Sequence, residues 1–373
     1  MADLPLRNVR ITEVSTEEPA AFCACHLGDL GAEVIRIELP TKIPNYPKQV
    51  WEAANRNKKS ISLNPESPHD RKILENVILS SDVFLEDQAP GDLDKLGMGY
   101  QRIQAINPAM IYCSISSYGQ NGPYRDFPGD EICAQAIGGM LMLEGNTLGN
   151  IANPKGGKPC TPDVMVAETK AALHAEVGIL SALIARKKNG RGQYLEVSLL
   201  DGVVSQKALR PMVNVSEEAT GFQIYETKDN KYIVTAAVEP WTWKNLVEKL
   251  GRSDLIGIAH RSKRERADAI ETLRKIFRSK TREEWLELFK DVDTEVSPAY
   301  SCEEAALDPH VRAREMIVEV RCSDGMKRSQ YSIPMRFSKT PGKIRHPAPR
   351  IGENTKRIIS KFQREDSGDN ETV

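Results

Sequence analysis

No apolar run in the 373 residues reaches the roughly 18–20 that a bilayer span requires. A helical membrane protein is therefore not expected. The first residues, Met1 to Val14, lack the basic and apolar regions of a secretory signal. Cysteine is sparse and scattered, at 23, 25, 113, 133, 160, 302 and 322. With no Cys-x-x-Cys pair, neither a zinc site nor a disulfide framework is indicated. Excess charge of either sign is also missing: 51 Lys and Arg against 52 Asp and Glu leave a net −1. That balance provides no overall footprint for nucleic acid or an anionic membrane. The six histidines show no metal spacing. Gly-x-Gly-x-x-Gly, the Walker A pattern and Gly-x-Ser-x-Gly are all absent. The expectation is a reduced, cytoplasmic globular protein with no metal.

Periodicity organises the first two hundred residues. Asn8 to Val14 reads as a strand, Pro19 to Leu30 as a short helix ended by Gly31, and Glu33 to Glu38 as a second strand. Strand, helix, strand in about 30 residues is the unit of a parallel sheet. Further strands are expected at Ser60–Leu63, Asp82–Glu86, Ala109–Ile115 and Tyr194–Ser198. Helices are expected at Pro68–Ser80, Asp94–Ile106, Glu131–Leu143 and Val164–Lys188. The last carries small residues at Ala167, Ala171, Ala175, Gly178 and Ala182, a pattern that suits close helix packing, with His174 packed inside. Gly145 to Pro162 reads as a loop. The fold class is α/β, with a mainly parallel sheet in a large domain over 1–205. A smaller α+β domain is expected over 217–330, with a strand at Tyr232–Ala236 and helices at Trp241–Leu250, Arg264–Ser279 and Arg282–Lys290. Residues 331–364 read as a segment returning to the large domain, with a strand at Ile333–Ser338, and 365–373 as a disordered tail.

Two features carry possible chemistry. Arg56, Lys58 and Lys59 stand just before a strand, as a phosphate-binding patch would, or as an ordinary solvated loop. Asp163 opens a long helix beside a Gly-rich loop, where it serves either as an N-cap or as a carboxylate nucleophile. Glu131 opens another helix, where a carboxylate complements the macrodipole. Cys160 stands three residues before Asp163 and reads as a bystander.

Several longer blocks together are more specific. They are GDLGAEVIRIE (28–38), NRNKKSISLN (55–64), SDVFLEDQAPGDLDKLGMGY (81–100), INPAMIYCSISSYGQNGPY (106–124), CAQAIGGM (133–140) and the stretch from Pro162 to Gly202 beginning PDVMVAET. In this order and spacing the chain resembles the family III CoA-transferases. That family includes formyl-CoA transferase and carnitine CoA-transferase, and 2-methylacyl-CoA racemase is a relative.

The resemblance implies a Rossmann-like large domain, a smaller domain and two chains interlocked as rings. It implies CoA transfer from an acyl-CoA donor to a carboxylic acid through a covalent intermediate on Asp163, with Glu131 near the reacting groups. Helix N-terminal N–H groups near Asp163 are expected to stabilise the developing charge. CoA contacts are implied at Glu18, Pro19, Leu63, Asn64, Asp87, Gln88, Ala89 and Lys95, with Arg56 and Lys58 in the NRNK block. CoA thioesters are substrates, and no tightly bound cofactor is implied. A homodimer is the expected partner arrangement, with a paralogous second subunit as the alternative. The chain departs from the family at Pro19-Ala20-Ala21 in place of Ala-Gly-Pro, at Leu39 in place of a CoA-contacting arginine, and in lacking a glycine-rich loop between 205 and 225. A racemase reading finds Glu239 in place but Asp130 where that enzyme has its histidine.

Overall fold

Six short runs rich in Val, Ile and Leu pair as one parallel sheet in the order β3-β2-β1-β4-β5-β6. The structure is a computed structural model, described over residues 4–42, 47–141, 164–206 and 220–367. Those up to 206, with those from Glu315 on, form one unit; 220–314 form the other.

The first unit runs β1 (Arg10–Val14), α1 (Glu18–Asp29), β2 (Glu33–Glu38), α2 (Lys48–Ala54), β3 (Lys58–Ser62), α3 (Pro68–Leu79) and β4 (Val83–Glu86). It continues with α4 (Asp92–Lys95), α5 (Tyr100–Ile106), β5 (Ile111–Ser116), α6 (Glu131–Ile137), α7 (Val166–Asn189), β6 (Tyr194–Ser198) and α8 (Leu199–Gln206). The expected helix over 94–106 is two helices, because Gly97 takes φ +72° between them. Apolar residues cover both faces of the sheet. Ala20, Ala24 and Leu27 of α1 pack with Ala171, Ala175 and Ile179 of α7 on one face. Ile73, Leu74 and Val77 of α3, with Ile358 and Phe362, pack on the other. Ala167, Ala171, Ala175 and Ala182 are 0–1% exposed, as the small-residue pattern requires. A Cβ on Gly178 would stand 2.5 Å from Leu195 Cδ2. His174 points to solvent instead of packing.

The second unit comprises β7 (Phe222–Glu226), β8 (Tyr232–Ala236), α9 (Pro240–Lys249), α10 (Lys263–Phe277), α11 (Arg282–Phe289), β9 (Val296–Ala299), α12 (Cys302–Leu307) and α13 (Pro309–Ala313). Its three strands form an antiparallel sheet, β7-β8-β9. Tyr225, Trp243, Leu246, Leu273, Phe277 and Trp285 make its core.

The expected boundary at 330 falls instead at Arg314. Residues 315–330 contribute to β10 (Ile317–Arg321) and β11 (Lys327–Tyr331), a hairpin turning at Gly325 with φ +85°. This hairpin is held in the first unit by Arg328 Nη1 on Glu52 (3.0 Å) and Arg56 Nη1 on the Tyr331 carbonyl (2.6 Å). Ile333–Ser338 is not a strand. Pro334 within it has no N–H to give a ladder. Helix α14 (Thr355–Ser367) follows, so residues 365–367 of the expected tail are helical; 368–373 lie outside the described residues. No described helix is long and apolar enough to cross a membrane.

Candidate active site

In an open parallel sheet, ligands bind beyond the carboxyl ends of the strands, where the strand order reverses. Here that point lies between β1 and β4, which are neighbours although distant in sequence. The loops leaving these strands are tied together. Asp87, just after β4, accepts the N–H groups of Thr16 and Glu17, both at 2.8 Å, just after β1. Burial pushes the Asp87 carboxyl up to about 7 against the pull of those two donors. Glu86 beside it is pushed to about 8 by burial, although Ser114 and the Gln88 N–H stabilise its charged form.

A cavity of about 880 Å³ opens above these loops. Thr16, Asp87, Gln88 and Ala89 form part of its wall, with Ser116 to Tyr118 from the end of β5. Three cations reach it: Lys42, Lys95 and Arg125. Lys42 Nζ bonds Gln88 (3.2 Å) and Asp92 (3.0 Å), and Lys95 Nζ meets the other Asp92 oxygen at 2.8 Å. Arg125 bonds the Gln120 carbonyl through Nε at 3.0 Å and Asp126 through Nη1 at 2.6 Å. These cations come from three separate segments, following β2, β4 and β5, so they form no cluster in the sequence. A second groove of about 340 Å³ adjoins the cavity and shares Pro19 and Glu168 with it.

The start of α7 borders both spaces. Its N-cap residue is Met165, whose side chain makes no capping bond. Glu131, 7% exposed at the start of α6, supplies the cap from outside. Its carboxylate accepts the N–H of Ala167 at 2.9 Å and of Glu168 at 2.8 Å. Val166 N–H bonds the Val164 carbonyl, and Thr169 N–H bonds that of Met165. The first-turn N–H groups are thus occupied, so they are not available to stabilise charge at the preceding segment, as the sequence had suggested. Gln135 Nε2 binds both Glu131 and the Val164 carbonyl, fixing the chain as it enters the helix.

Residues 6–355 match the description CoA-transferase family III. The chain belongs to that family. It is 30% identical to the succinyl-CoA–L-malate CoA-transferase beta subunit of Chloroflexus aurantiacus, over 96% of this chain and 94% of the relative. It is 28% identical to human succinyl-CoA:glutarate CoA-transferase, over 97% and 87%. It is 26% identical to a formyl-CoA:oxalate CoA-transferase of Rhodopseudomonas palustris, over 95% and 92%. A CAIB/BAIF family protein of Brucella suis matches in structure with a TM-score of 0.82 at 26% identity, over 96% of this chain and all of that one.

For this family III CoA-transferase the structure gathers Pro19, Asp87, Gln88, Ala89 and Lys95 around the large cavity, and Glu18 around the adjoining groove. Glu131 lies against α7 as a positioning residue. Asp163 and Cys160, with the rest of 142–163, lie outside the described residues. The remaining four candidates are elsewhere. Leu63 is 1% exposed in the core, and Asn64 forms the turn into α3 by accepting the Glu66 N–H at 3.0 Å. Arg56 is buried and clamps Asp29 through Nη2 at 2.7 Å. Lys58 lies under α1 with Nζ 2.8 Å from Glu13 and 2.7 Å from the Ala21 carbonyl. Glu13 and Arg36 pair beside it. Burial opposes the charge on Glu13, yet Lys58 and Arg36 hold its carboxyl below the usual range. Leu39, standing where relatives have arginine, is a core residue at 6% exposure.

Lys42, Arg125, Thr16 and Tyr118 were not singled out from the sequence. The signal that points to them is topological: they stand beyond the carboxyl ends of β1, β2 and β5.

Proposed function

We propose that the chain moves CoA from an acyl-CoA donor to a free carboxylic acid through a covalent intermediate on Asp163. Membership of the family supports the transfer itself. The observation that carries the finer reading is the cap exchange at α7. Asp163 stands just before Val164 in sequence, where an aspartate would ordinarily be read as a helix cap. Glu131 caps Ala167 and Glu168, which supports a role for Asp163 other than capping.

In the proposed reaction the Asp163 carboxylate attacks the thioester carbonyl, the C–S bond breaks and CoA thiolate leaves a mixed anhydride. The thiolate attacks the aspartyl carbonyl, releasing the donor acid and forming an enzyme thioester. The acceptor carboxylate attacks that thioester, and the returning thiolate takes the new acyl group, restoring Asp163. Lys42, Lys95 and Arg125 are suited to CoA phosphates, Arg125 with a planar fork and the lysines as point charges. Asp130, at the position a racemase needs as a base, accepts the Cys133 N–H as the cap of α6.

The assembly we propose is an interlocked homodimer. Leu173, Val177 and Ile184 leave one side of α7 apolar and exposed, 41%, 63% and 62%, which suits burial against a second chain. Interlocked chains separate only with partial unfolding, so sedimentation at nanomolar concentration is expected to show a dimer. A folded monomer there contradicts it.

The functional test is a screen of free acids with acetyl-CoA, butyryl-CoA and succinyl-CoA as donors, read by mass spectrometry of the acyl-CoA products. New acyl-CoA species are expected, and Asp163→Ala should abolish them. Turnover by Asp163→Ala, or deuterium exchange at C2 of a 2-methylacyl-CoA without any acceptor acid, contradicts the reading.

A further inference from the structure

The groove beside the large cavity differs from it in charge. Its walls are mostly apolar, from Phe22, Val50, Ala53 and Met165. Two acids stand in it, Glu18 at the start of α1 and Glu168 in the first turn of α7, and among the described residues no Lys or Arg lines it. The Glu168 carboxyl faces that of Glu18. Its Oε2 is buried and receives no bond from a donor. Two carboxyl oxygens share a hydrogen bond only when one carries a proton. Burial, and then the charge of Glu18, push Glu168 up to about 8. Glu131 and Glu17 add negative charge nearby.

The cavity and the groove share Pro19 and Glu168, so the groove adjoins the space assigned to CoA. We infer that the groove receives the acyl group and selects one that is uncharged, against one that ends in a second carboxylate. This rests on the CoA-transferase reading of the adjoining cavity. An aliphatic acyl chain buries apolar surface there. A terminal carboxylate would lose its water next to Glu18 and Glu168 without meeting a cation among the described residues. The acids thus act as a repulsive filter.

The test uses the full chain and two esters of equal acyl length, butyryl-CoA and succinyl-CoA, titrated by calorimetry. Butyryl-CoA is expected to bind at least about tenfold tighter. The double variant Glu18→Gln/Glu168→Gln should shrink that ratio toward one by tightening succinyl-CoA. The wild-type ratio decides by itself if the variant fails to fold. Equal or tighter binding of succinyl-CoA by the wild type overturns the inference, as does a ratio unchanged in a folded double variant, or binding of neither ester. A butyryl-CoA preference without any CoA transfer upholds the filter while removing the transferase reading.

Discussion

Two basic regions of this protein have opposite fates. Arg56, Lys58 and Lys59 are adjacent in sequence and make the most conspicuous cationic patch. In the structure Arg56 and Lys58 are buried in ion pairs, and Lys59 pairs with Glu33. Lys42, Lys95 and Arg125 are isolated in sequence, yet the fold brings them to one cavity. Adjacency in the chain reports local charge. Position beyond the carboxyl ends of β2, β4 and β5 brings Lys42, Lys95 and Arg125 to the cavity.

The sharpest way to break this comparison is Lys58→Ala. Removing Lys58 leaves Glu13 with Arg36 as its remaining ion-pair partner, and breaking a buried pair costs up to about 3–5 kcal/mol. Chemical denaturation should show a loss of that size. A Lys58→Ala protein of normal stability that binds CoA esters weakly would return the patch to the site.

The opposite outcome is expected for Arg125→Ala. Loss of a charged phosphate contact costs about 1.5–3 kcal/mol of CoA-ester affinity, while the unfolding midpoint stays near that of the wild type. Unchanged affinity takes Arg125 out of the site.

Glu131→Ala removes the external cap of α7. Caps contribute about 0.5–2 kcal/mol, so a modest fall in stability is expected. It should come with a larger fall in kcat than in acyl-CoA affinity, because the entry to α7 is displaced. Equal loss in both would indicate only a structural role.

The acids under the cavity add a pH dependence. Glu86 and Asp87 have folded values raised to about 8 and about 7, above ordinary carboxylates. The folded state therefore holds extra protons, and stability present below about pH 4 is lost as pH rises through 7 to 8. Glu86→Gln should flatten that decline between pH 5 and 8. A variant as pH-sensitive as the wild type contradicts the assignment. The smallest effect is expected for Lys95→Ala, since Lys95 is exposed and already paired with Asp92. About 1 kcal/mol or less of affinity, vanishing at high salt, is expected from titrations at two ionic strengths.

Much of the fold was legible because its strands are short apolar runs and its helices begin and end on Pro, Gly and capping residues. Elements with weaker patterns were not. The hairpin β10–β11 is half polar, as in Lys327-Arg328-Ser329-Gln330-Tyr331, and carries no clear strand pattern. Helix α14 ends in Glu365-Asp366-Ser367, polar residues that read as tail. The site was legible in its Asp87-Gln88-Ala89 turn only through resemblance, since no local pattern marks a strand end as the reversal point. Glu131 was legible as a helix start, but its bonds to α7 depend on a contact between residues 36 apart in sequence.

The most direct measurement is to incubate the enzyme with an acyl-CoA substrate, trap with borohydride and map the modified peptide by mass spectrometry. Three carboxyls close in the sequence or structure compete for the label: Asp163, Glu131 and Glu168. The account predicts reduction at Asp163 alone. A label on Glu131 or Glu168, or an unmodified enzyme that still turns over, would contradict it.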